Sequence, residues 1–256
     1  MVHSARKARR PVGIPVGAFL LLTLGLTTMV LAISTITTQP WLAGGALLAP
    51  GLVAYALTAA RKGEVSSVAG TPPHPGVLVT SLLAGPAMVA GILGFTGRSL
   101  AFSIPDPVEL AWALSGAVSA ELGWRGYLQP LLRVRFPALV AGLVTGLAWA
   151  LWHVPLEIAG ASPFPSTSPL DLLAWALGSA ILFSALLEVV PRSTWYPIAA
   201  QSGFTLYFVM SSVLPGPASS PWPFRMVAAT TTVIGLVLLV GLRRNTYRGR
   251  HLPSQP

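Results

Sequence analysis

An all-α fold, a polytopic transmembrane bundle of about eight helices, is what this sequence predicts, and three observations predict it. Of its 256 residues, 53% are hydrophobic and only 9% charged, where a soluble domain carries about 25% charge. Apolar runs of about 20 residues, the length that crosses ~30 Å of hydrocarbon, recur from one end of the chain to the other. The lysines and arginines sit almost entirely between those runs. A water-soluble fold is excluded, because its surface would need far more charge.

The runs follow one another at regular intervals. Residues 13–34, 40–60 and 77–95 are free of charge. Residues 107–132 contain Glu109, Glu121 and Arg125, which lower the hydropathy, while Leu110 to Val118 and Tyr127 to Leu132 keep the run largely apolar. Residues 138–156, 170–190, 194–214 and 226–242 complete the set, separated by proline or basic residues. Because the first run follows a basic stretch, it also fits a secretory signal. It is longer than a signal core of roughly 7 to 15 residues, and residues 35–40 offer no convincing small-residue cleavage site, so a retained anchor is expected. Residues 63–75, with Ser66, Ser67, Gly70, Pro72, Pro73 and Pro75, predict a flexible cytoplasmic linker, and residues 160–169 an external one.

Basic residues in short loops stay on the cytoplasmic side. With the amino terminus inside, the inside segments hold Arg6, Lys7, Arg9, Arg10, Arg61, Lys62, Arg133, Arg135, Arg192, Arg243, Arg244, Arg248 and Arg250, and the outside loops only Arg98 and Arg225. The expected organisation is a basic segment over 1–12, an eight-helix domain over 13–242 and a basic tail over 243–256. This is a multi-pass protein of the cell membrane with both termini cytoplasmic, and the lipid bilayer is its first partner. The formal charge of +9 does not point to nucleic acid, because that reading needs a basic face on a folded domain. The chain has no cysteine, which removes disulfides, thiolate nucleophiles and cysteine metal ligands.

An ionisable side chain at membrane depth needs a partner or a function. Four stand out: Glu121, Arg125, His153 and Glu188. Glu121 and Arg125 are four residues apart, on one helix face and within pairing reach. They form either a structural ion pair or an arginine-held carboxylate in a water-accessible cavity. His153, at the end of Trp149-Ala150-Leu151-Trp152-His153, is either a hydrogen-bonded packing residue or a functional one. Glu188 is expected at a helix end near the headgroups.

Ala120-Glu121-Leu122-Gly123-Trp124-Arg125-Gly126-Tyr127-Leu128 resembles the first signature of the CPBP family, the CAAX-protease and bacteriocin-processing intramembrane peptidases, whose usual form is EExxxR. Trp149 to His153 resembles the second signature, FxxxH, with tryptophan in place of phenylalanine. Trp195 to Thr205 is similar to the last, HxxxN or HxxxD, but lacks its key residues. The resemblance covers about Glu109 to Tyr207, and 107–214 is the expected family-like core. It implies an intramembrane metallo-endopeptidase whose four working positions fall on Ala120, His153, Gln201 and Thr205. Three of the four are substituted.

An alanine methyl group cannot take a proton from water. A catalytic zinc typically takes three histidine or carboxylate ligands, and of the four histidines only His153 is at membrane depth. No metal site and no cofactor are therefore expected, zinc being the family-like candidate were the protein active. The expected function is a CPBP-type membrane protein with impaired or lost peptidase activity that binds a peptide or a membrane-protein partner. The alternatives are an active endopeptidase using Glu121 and His153, with Arg125, Gln201 and Thr205 in support, or a small transporter or channel.

Overall fold

The computed structural model describes residues 13–61, 66–95, 104–164, 167–190, 193–210 and 222–249. Helix α1 spans Gly13–Ile36; a 3-10 segment, Pro40–Leu48, leads into α2, Ala49–Ala60; then come short α3, Ser66–Ala69, and α4, Pro75–Phe95. Helix α5, Pro107–Glu121, passes through a π-helical turn, Leu122–Leu128, into α6, Gln129–Arg133. The rest are α7 (Ala138–Ile158), α8 (Pro169–Val189), α9 (Trp195–Met210) and α10 (Trp222–Gly249). Proline opens α4, α5 and α8, where its fixed φ suits the first turn and its missing N–H costs nothing. The Asp106 carboxylate accepts from the Val108 and Glu109 amides at 2.8 and 3.2 Å, and Ser168 Oγ accepts from Asp171 N at 3.1 Å. These caps satisfy donors that the first helical turn leaves open.

Six of these segments, at 15–36, 40–60, 75–95, 138–158, 169–189 and 224–242, are long and apolar enough to cross a membrane. The two other expected spans fall below that mark for different reasons, α9 by its described length, residues 211–214 lying outside the described residues, and the α5 to α6 rod by its charges. Helix α9 has only 16 described residues, and the rod from α5 to α6 contains Glu109, Glu121, Arg125 and Arg133. A polytopic helical membrane bundle is nonetheless the architecture. The most enclosed candidate span is α8, with 56% of its apolar window buried, against 22% for α1. Helix α8 packs mainly on α10 and α7, and α4 on α9. Outer faces carry exposed apolar side chains such as Leu21, Leu83 and Val237. Buried threonine hydroxyls return to their own helices, Thr145 to Ala141 O at 2.8 Å and Thr231 to Val227 O at 3.0 Å, so few polar groups meet lipid.

The linker expectation for 63–75 needs correction over its described part. Residues 66–69 form α3, and Gly70, at φ 73°, bridges antiparallel to Ser193. Thr194 N donates to Ala69 O at 3.0 Å, Thr194 Oγ1 to Val68 O at 2.9 Å and Ser193 Oγ to Thr71 O at 2.9 Å. Serine, glycine and proline suggest flexibility because they lack apolar periodicity, but here the order comes from a partner more than a hundred residues away in sequence. Two boundaries also move. Helix α10 runs to Gly249, into the expected tail, and Arg225 lies in its first turn rather than in a loop, donating from Nε to Asp171 Oδ1 at 2.7 Å.

Of the basic residues that set the orientation, Arg6, Lys7, Arg9, Arg10, Lys62, Arg98, Arg192 and Arg250 lie outside the described residues. The orientation therefore stands as a prediction from the loop charges. Reporter fusions after Lys62, Gly97, Arg135, Gly160, Arg192, Pro217 and Pro256 are expected to read inside, outside, inside, outside, inside, outside, inside. Two fusions on the wrong side would sink the eight-span topology.

Candidate functional site

The site begins with how closely helices approach at α5. Ser119 Oγ donates to Leu48 O at 2.7 Å and accepts from Gly51 N at 2.9 Å, bridging the point where the 3-10 segment becomes α2. One turn on, a Cβ at Gly123 would run into Pro50 and one at Gly126 into Val68. The small residues of the first motif thus let the π-helical turn lie directly on α2 and α3. That contact sets the rotation of α5, and Ala120 faces a cavity.

The cavity is small, about 50 Å³, and mostly apolar. Ala120 from α5, His153 from α7, and Gln201 and Thr205 from α9 all line it. The four positions that the motifs single out thus converge. Trp149, Trp152, Phe164 and Phe208 add an aromatic part to the wall. The ring of His153 stands 4.9 Å from Trp152, 5.2 Å from Trp149 and 5.5 Å from Phe164. Its Nδ1 lies 2.9 Å from Trp149 O; a carbonyl only accepts, so Nδ1 carries the proton and Nε2 keeps a lone pair. Gln201 is 5% exposed and its Oε1 has no protein partner.

Phe164 reaches the cavity because α7 ends sharply. Gly160, at φ 65°, occupies the left-handed position that glycine takes without strain. Gly160 N donates to Glu157 O at 3.0 Å and Ala161 N to Leu156 O at 2.8 Å, the paired bonds of a Schellman end. The chain then turns back over His153. The sequence marked this stretch only as an external loop, and a phenylalanine flanked by prolines, Pro163-Phe164-Pro165, was the available signal.

Glu121 and Arg125 do not line this cavity. Both are 0% exposed, joined by Arg125 Nη1 to Glu121 Oε1 at 2.8 Å. The guanidinium carbon lies 5.4 Å from the centre of the Trp149 ring and 4.9 Å from that of Phe183. Trp149 therefore touches both sites, lining the cavity and stacking on the arginine. Adjacent residues on a helix point about 100° apart, so with Ala120 on the cavity, Glu121 turns into packed protein. Glu188 is 36% exposed and accepts from Arg133 Nη2 at 2.6 Å, as expected of a residue at a helix end.

The donor set does not fit the zinc that the family resemblance implies. His153 is the one strong ligand among the four converging positions; an amide, a hydroxyl and a methyl group supply the rest, short of three histidine or carboxylate ligands. Among the described residues no three histidines, cysteines or carboxylates come together anywhere.

Residues 107–207 match the family profile described as type II CAAX prenyl endopeptidase Rce1-like. The chain is also 34% identical over 83 residues to the CAAX prenyl protease 2 of Methanococcus maripaludis, an alignment covering 32% of this chain and 31% of that relative. The chain thus matches about a third of that protein's length. The matched segment runs from the start of α5 through most of α9 and contains every residue that lies between the motifs. With the bundle architecture and the signature at 121–126, these matches support a CPBP-type membrane protein, the likeness lying in residues 107–207.

Proposed function

We propose that this protein binds a peptide, or a peptide segment of a membrane-protein partner, at the His153 cavity and has lost its peptidase activity. The observation that carries the reading is Ala120 on the cavity wall, where the family resemblance puts a water-activating glutamate. General base assistance is typically worth about 10² to 10⁴ in rate, and a methyl group supplies none. Glu121 is no substitute, because Arg125 and the surrounding protein hold it away from the cavity. What the cavity does offer suits recognition. The Gln201 carboxamide has a donor and an acceptor, the two groups that pair with a peptide unit, and His153 adds a lone pair beside an aromatic wall that suits an apolar side chain.

The experiment uses purified full-length protein in liposomes with a peptide library. The expected result is no cleavage, with or without added zinc or chelator, and peptide capture that weakens on Gln201→Leu. Wild-type cleavage abolished by His153→Ala would overturn the reading and establish the active endopeptidase instead.

A further inference from the structure

A second cavity, about 690 Å³, lies beyond the end of α5, along the π-helical turn and α6, where no residue of the His153 site reaches. Its wall includes Arg61 after α2, Ser67 of α3, Tyr127 of the π-helical turn, Arg133 of α6 and Glu188 of α8. The same wall includes Arg125, Ser193 and Thr194. The Gly70 to Ser193 bridge ties α3 to the start of α9 and so closes this side of the space.

Its charges do not balance. Arg133 is answered by Glu188 and Arg125 by Glu121, while Arg61 has no carboxylate partner among the described residues. Arg61 and Tyr127 line the same cavity. Donors are also left over. The Tyr127 hydroxyl and Arg125 Nε and Nη2 are buried and find no acceptor in the protein, and a buried donor in that state calls for a water or an ion. An open cationic side chain, surplus donors and a carboxylate already neutralised by its own arginine all favour an anion.

We propose that this cavity binds an anionic phosphate group. Basic pockets between membrane helices recognise phosphorylated lipid headgroups in this way, and the volume admits a headgroup with its glycerol. Arg61 supplies the charge, and Tyr127 and the bridge-fixed α3 shape the seat. Free phosphate shares the chemistry, so the test separates the two sources. The inference is independent of whether the His153 cavity hydrolyses or only binds.

Full-length protein in detergent is titrated with short-chain phosphatidylglycerol, with short-chain phosphatidylcholine and with inorganic phosphate, and thermal unfolding is followed. Phosphatidylglycerol is expected to stabilise the wild type more than phosphatidylcholine does. Arg61→Gln should weaken that response about fivefold, the equivalent of ~1 kcal/mol for one basic residue near a headgroup, and Tyr127→Phe, which keeps the ring against Phe19, should weaken it too. Stabilisation by inorganic phosphate alone, lost in both variants, would support the same site with a soluble ligand. Equal responses to the two lipids with none to phosphate, or variants indistinguishable from wild type, would overturn the proposal.

Discussion

The combined variant Ala120→Glu, Gln201→His, Thr205→Asn is expected to cleave peptides that the wild type leaves intact. All three positions line the cavity that His153 also lines, so the new groups enter a shared space. A carboxylate there gives water a base, worth about 10² to 10⁴ in rate over the unassisted site, and added hydrogen-bond donors can stabilise the developing oxyanion. The cavity is only about 50 Å³, and overfilling a packed interior typically costs about 1 to 3 kcal/mol. Thermal unfolding of the variant must therefore accompany the assay. The measurement is product formation by mass spectrometry from a peptide library in liposomes, for wild type, the triple variant and the triple variant carrying His153→Ala. Cleavage that appears in the triple variant and disappears with His153 would show an intact peptidase scaffold lacking its chemical groups. A folded triple variant with no cleavage would remove the support for a peptidase ancestry of this cavity.

Breaking the Glu121–Arg125 pair should have the largest effect on stability. Both side chains are 0% exposed and 2.8 Å apart, enclosed by Trp149 and Phe183. Removing one partner leaves a buried charge without compensation, at a cost of about 3 to 5 kcal/mol, whereas replacing both by apolar groups can be nearly neutral. Arg125→Met and Glu121→Gln should each lower the unfolding temperature in detergent sharply, and the double variant, which removes both charges but keeps a buried amide at 121, should recover part of the loss. The unmatched atoms sharpen the expectation: Glu121 Oε2 and Arg125 Nε and Nη2 have no protein partner, so the pair depends on a single ionic contact and on ring stacking. If either single variant melts like the wild type, the pair does not carry charge in the folded state. Peptide capture gives an independent check, because Arg125 does not itself line the His153 cavity and the double variant should still capture peptide.

The eight helical segments, the pairing of Glu121 with Arg125 and the three motif regions were legible in the sequence, because each depends on local spacing. A run of apolar residues, an interval of four and a Glu-x-x-x-Arg pattern keep their meaning wherever the segment packs. The ordering of residues 66–71 was not legible, because its hydrogen bonds come from Ser193 and Thr194. Nor was the role of Phe164, which depends on a glycine-ended helix turning the chain back over His153. Arg225 falls one residue before the apolar run at 226–242 and so reads as a loop residue, yet it pairs with Asp171 of another helix.

By itself, then, the sequence determined that this is a membrane-embedded helical protein, that its ion pair shares one helix face, and that three of four family positions lack their usual groups. Which face of α5 meets His153 was decided only by tertiary structure. Periodicity relates the directions of neighbouring side chains but does not orient the helix as a whole. The contacts of Gly123 with Pro50 and of Gly126 with Val68, together with Ser119 on Leu48 and Gly51, set that rotation. They turn Ala120 toward Gln201 and Thr205 and bury Glu121 against its arginine.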